Sequence, residues 1–78
     1  MAEPVIVYTG SGCSECQSVK ELLTLKGVPF ETRDVFANKE YREDVEKLGF
    51  MGIPVTVVGE RAIKGFDKEA LLEMLANR

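Results

Sequence analysis

Two cysteines, Cys13 and Cys16, are the residues of this chain best suited to chemistry, and only Ser14 and Glu15 separate them. None of the 78 residues is a histidine. That removes Ser-His-Asp and Cys-His catalysis and any Cys/His zinc finger. A close thiol pair has three remaining uses: reversible disulfide chemistry, soft-metal binding, or plain packing. Residues three apart on a helix have Cβ atoms about 5–6 Å apart, whereas a disulfide needs about 3.5–4.5 Å, so a small shift in a first turn closes the bridge. A loop this short restrains the unfolded chain little, which makes the pair a poor structural staple.

The two sulfurs are expected to differ. Cys13 falls at a helix N-terminus, where unpaired N–H groups and the helix dipole favour its thiolate. Gly10 and Gly12 leave little bulk around it. Cys16 shares a helical stripe with Val19 and Leu23, so its thiol is expected to be buried and less acidic. Cys13 is then the nucleophile towards a disulfide and Cys16 the thiol that resolves the mixed disulfide. Glu15 opposes a nearby thiolate. With no histidine as base, activation of Cys13 leans on backbone electrostatics.

The surrounding chain must supply that helix end. Val5-Ile6-Val7-Tyr8 is a wholly apolar run that reads as a strand buried on both faces. The loop Thr9-Gly10-Ser11-Gly12 follows, then a helix over residues 13–26 with Cys16, Val19, Leu22 and Leu23 inward and Gly27 as its C-terminal cap. Ser14 with Gln17 is expected to form a capping box. Residues 29–35 read as a second strand with Phe30 and Val35 inward. Residues 39–48 read as a helix whose stripe is Tyr41, Val45 and Leu48. Val55–Val58 is a third strand, Gly59-Glu60 a Gly-X hairpin turn, and residues 61–64 an edge strand. Asp67 is the expected N-cap of a last helix that buries Leu71, Met74 and Leu75. The order β-α-β-α-β-β-α predicts an α/β fold: a four-stranded mixed sheet with helices on both faces, the layer logic of a small thioredoxin-like domain.

Composition bounds the rest. Residues 1–78 are expected to form one domain, for which 45% hydrophobic residues and a mean hydropathy of −0.05 are ordinary. A net charge of −3 offers no basic footprint for nucleic acid. Met1-Ala2-Glu3-Pro4 lacks the basic start and apolar run of a signal peptide, and no stretch approaches the ~20 residues that cross a bilayer. A cytoplasmic location is therefore expected.

With these residues in view, the chain resembles the glutaredoxin family along nearly its whole length. The resemblance rests on Val5–Tyr8, Cys13-Ser14-Glu15-Cys16, Ile53-Pro54-Val55 and Gly65-Phe66-Asp67. It implies a cis bond at Ile53-Pro54, set beside the cysteines, with the Ile53 backbone pairing to a bound peptide like an added strand. It implies a substrate cleft made by Gly12, Ser14, Glu15, Ile53, Pro54, Gly65, Phe66 and Asp67, with Phe66 and Phe50 either flanking the cleft or packing in the core. Tyr8 is expected to pack under the cysteine motif.

Departures from the family pattern bear on the electron donor. Gly10 stands where most members carry a Lys or Arg for a glutathione carboxylate, and the acidic pair after the late glycine is reduced to Asp67. Arg42 or Lys39 would have to substitute. Gly49–Val55 and Lys64–Asp67 are more similar to NrdH-type redoxins, which often take electrons from thioredoxin reductase, although Ile63 replaces an aromatic residue found there. The expected activity is reduction of protein disulfides, with ribonucleotide reductase among the implied partners, thioredoxin reductase or glutathione as reductant, no bound cofactor or metal, and a monomeric state. The alternatives are a Cu(I) carrier using both thiolates, an iron–sulfur scaffold ligated by Cys13 and glutathione across a dimer, and a non-catalytic adaptor. Copper chaperones of this size run β-α-β-β-α-β and end in a strand, which counts against the first.

Overall fold

The first apolar run becomes the inner strand β1 (Val5–Thr9), in a computed structural model that describes residues 4–76. The absence of a leader read from Met1-Ala2-Glu3 lies outside the described residues. β1 pairs in parallel with β2 (Glu31–Asp34), from Ile6↔Glu31 to Thr9↔Asp34. On its other side it pairs antiparallel with β3 (Val55–Val58), from Val5↔Val58 to Tyr8↔Val55. β3 then forms a hairpin with β4 (Arg61–Lys64), giving the sheet order β2-β1-β3-β4. Three helices complete the expected order: α1 (Ser14–Leu25), α2 (Lys39–Lys47) and α3 (Lys68–Ala76).

Alternation along β1 and β3 divides the core into two clusters. Val5, Val7 and Val58 pack against Val19, Leu22 and Leu23 of α1 and Leu71 and Met74 of α3. Tyr8 and Val55 face the opposite way, against Val35 and Val45 of α2. Helices therefore cover both faces. Each fully buried aliphatic side chain, Leu23 and Leu71 among them, stabilises the fold by about 1.5–3 kcal/mol. α1 closes as the sequence predicts: the Gly27 N–H donates to Thr24 O and the Val28 N–H to Leu23 O, the two bonds of a Schellman motif.

Two elements depart from the sequence reading. The second strand is shorter than 29–35. Phe30 packs with the α1/α3 cluster and Val35 with the α2 cluster, so both are inward but towards opposite faces. Leu48 is 45% exposed, because it is the C-cap of α2 and lies past the buried stripe. Half-buried Phe50 takes its place, held by its N–H to Val45 O at 3.2 Å. Under α2, the Arg33 guanidinium donates to Tyr8 Oη at 3.2 Å and lies over the Tyr41 ring. Its hydrogen bond to Glu31 raises the Arg33 pKa, burial opposes this, and the Tyr8 bond adds to the rise. Among the described residues, no helix is long and apolar enough to cross a membrane.

Candidate functional site

Cys13 is itself the N-cap of α1. Its backbone is extended and its Sγ accepts the Cys16 N–H at 3.2 Å. The expected capping box on Ser14 is not formed, because Ser14 is already the first helical residue and the sulfur takes the capping role. Cys13 and Cys16 are joined as a disulfide, with Cα atoms 5.3 Å apart. Cys16 is 1% exposed, on the same inward stripe as Val19 and Leu23. Cys13 is half-buried and opens onto a polar groove of about 440 Å³ lined by Gly10, Gly12, Ser14, Lys20 and Asp34. The reactive end of α1 thus presents one sulfur to solvent and keeps the other inside.

The loop before β3 does not line that groove; it meets the segment before Cys13 at Gly10, where Ile53 closes on it. The Ile53-Pro54 bond is cis and Pro54 is buried. The Pro54 carbonyl accepts the Gly65 N–H at 2.7 Å, which ties this loop to the turn between β4 and α3. Gly65 has φ +78°, a conformation that side chains disfavour. Glu15 reaches the same turn: a Cβ on Gly65 would lie 3.4 Å from Glu15 Oε2. Phe66 is 40% exposed rather than core, in keeping with a place at the rim. Asp67 caps α3, its Oδ1 accepting the Ala70 N–H at 3.1 Å, so its carboxylate already has a structural partner. Lys39 and Arg42, the candidate substitute cations, pair with Glu43 and Glu46 along α2.

Two residues that the sequence reading passed over shape the site. Phe36, 67% exposed, lays its ring over Gly10, and Met51 is 97% exposed. With Val35, Val45, Phe50 and Ile53 they line an apolar groove of about 420 Å³. Ile53 lines this apolar groove, and its Cδ1 also closes on Gly10. The signal for Phe36 was available: an aromatic residue directly after Val35, before the polar cap Asn38, has no inward position left. Among the described residues, no group of three or more Cys, Asp or Glu is placed to hold a metal ion.

A four-stranded sheet with a cysteine pair at a helix start and a cis-proline ahead of its third strand defines a redox protein of thioredoxin-like fold. The glutaredoxin family model matches residues 5–63, and the chain belongs to that family. The gene 56 protein of Mycobacterium phage L5 is 40% identical over 74 residues, covering 92% of this chain and 72% of the relative. The NrdH-redoxin of Escherichia coli, a solved structure described as having a thioredoxin-like activity profile, superposes with a TM-score of 0.85 at 25% identity, over 91% of this chain and 93% of that one. The glutaredoxin of Methanosarcina mazei superposes at 0.82 with 36% identity, over 94% and 78%.

Proposed function

We propose that this chain is a dithiol–disulfide oxidoreductase acting on protein disulfides. The observation that carries the reading is the asymmetry of the pair: Cys13 opens to a groove and receives a backbone N–H, whereas Cys16 is sealed. In the reduced protein the Cys13 thiolate attacks a substrate disulfide, forms a mixed disulfide and releases one substrate thiol. The Cys16 thiolate then attacks the Cys13 sulfur, the second substrate thiol leaves, and the Cys13–Cys16 bond forms. Two electrons pass to the substrate, and an external dithiol or thiol reductant restores the pair.

The Cys16 N–H donated to the Cys13 sulfur and the start of α1 favour the thiolate. Ile53 and Pro54 serve as the platform for the substrate strand, with Gly12, Ser14, Glu15, Gly65, Phe66 and Asp67 around it. A thioredoxin-reductase type of donor is favoured over glutathione. Position 10 offers no cation, Lys39 and Arg42 are paired with glutamates of α2, and the NrdH-redoxin neighbour has a thioredoxin-like activity profile. Ribonucleotide reductase is a partner candidate by the same kinship, and the cytoplasm the expected compartment.

The test is a coupled insulin-reduction assay, run with NADPH and thioredoxin reductase and separately with glutathione and its reductase. Cys13→Ser is expected to abolish turnover, and Cys16→Ser to trap mixed disulfides. Full activity in the Cys13 variant overturns the reading. Turnover sustained by glutathione alone reverses the choice of donor.

A further inference from the structure

Glu15 is the charged group at the cleft that disulfide exchange itself leaves unused. Its side chain is exposed in the first turn of α1, and its carboxylate lies against the Gly65 backbone, a Cβ built there falling 3.4 Å from Oε2. Among the described residues, no Lys or Arg stands within ion-pair distance of it. Lys64, next to Gly65 in the chain, is not within ion-pair distance of Glu15; its Nζ stands on the Ile53 side, 4.0 Å from where a Cβ on Gly52 would be. Lys20 and Asp34 line the groove beside Cys13 and offset one another in charge. Asp67 is engaged as the α3 cap, and Lys68 is exposed in the first turn of that helix. Gly10, Phe36 and Ile53 carry no charge. A Cβ on Gly10 would fall 2.5 Å from Phe36 and 2.7 Å from Ile53, so there is no ready room for a cationic side chain at position 10. Glu15 therefore places a carboxylate with no ion-pair partner among the described residues against the Gly65 turn, with the Lys64 ammonium beside Gly52 beyond pairing distance.

We propose that Glu15 is a specificity-determining residue that selects disulfides whose attacked cysteine is flanked by Lys or Arg, and disfavours those flanked by carboxylates. The inference rests on the reading that the pair reduces protein disulfides. A substrate strand laid along Ile53 carries the neighbours of its cysteine past Gly65 and the Glu15 carboxylate. One pair of unit charges about 4 Å apart in water-like surroundings changes the encounter by roughly 5-fold, and salt screens the effect.

The test uses the full chain and three disulfide-bonded peptides that differ only in a Lys, Gln or Glu beside the target cysteine. The reduced protein is mixed with each peptide and the single-turnover rate is followed. The order expected is Lys above Gln above Glu, with roughly 10-fold or more between the extremes at low salt and a collapse near ~0.5 M salt. Glu15→Gln is expected to flatten the series and Glu15→Lys to invert it. Ratios between peptides cancel any change that these variants make in Cys13 itself. A series that keeps its order in Glu15→Gln overturns the proposal and assigns the preference to the net charge of −3. If the neutral Gln peptide is not reduced, it is the underlying reading that fails.

Discussion

The ring of Phe36 occupies the space that a side chain on Gly10 would need: a Cβ built there falls 2.5 Å from Phe36 Cε2. The contact couples the loop before Cys13 to the end of β2. Gly10→Ala is expected to lower stability by about 1 kcal/mol, at the mild end of overpacking because the exposed ring can swing aside. In a chain of this size that is a fall in Tm of about 4–8 °C. The cost is expected to shrink in a Phe36→Ala background. Equal costs in the two backgrounds, measured by urea unfolding, remove the coupling.

Thr56 presents a different case. It is fully buried on the α1 face of β3, and its hydroxyl has no hydrogen-bond partner among the described residues. An unmet buried hydroxyl costs about 1–3 kcal/mol, and valine has nearly the same shape. Thr56→Val is expected to stabilise the protein by about 1 kcal/mol, read as a rise in denaturation midpoint at constant slope. A loss of stability means the hydroxyl has a partner in solution.

Alkylation of the reduced protein probes the cysteine asymmetry. Cys13 is expected to react with iodoacetamide well before Cys16, with a midpoint below the ~8.5 of a free thiol. The sign follows from the helix end, which stabilises the charged form and so moves its appearance to lower pH. Peptide mapping after brief labelling checks both statements. Faster labelling of Cys16 would reverse the assigned roles.

Much of this architecture was legible beforehand, for identifiable reasons. Val5–Tyr8, the Cys16-Val19-Leu22-Leu23 stripe and Asp67 each have a local signature, period or cap, that tertiary packing did not override. Leu48 misled because periodicity carries no information about where a helix closes. Ser14 misled because capping preferences are tabulated for oxygen, and here a cysteine sulfur one position earlier accepted the bond. The site divides the same way. Cys13 and Cys16 announce themselves by type and spacing, whereas Pro54 is singled out only through the family resemblance. Phe36 over Gly10 and Glu15 over Gly65 are long-range meetings, between residues 26 and 50 positions apart respectively, that no local pattern encodes.

The two clusters on either side of the sheet have a consequence for how the cleft fails. The helix that carries the cysteines is seated on Val19, Leu22 and Leu23, whereas Ile53 and Phe50 are seated with Val45 and Val55 on the opposite face. The sheet is a bulkhead between two compartments, and the cleft is the place where both reach the surface. Damage in one compartment should loosen one half of the site first: a truncated Leu22 unsettles the sulfurs, a truncated Val45 the platform. The sulfurs and the Ile53 loop therefore rest on different clusters, and meet only at the surface, where Ile53 and Phe36 close on Gly10.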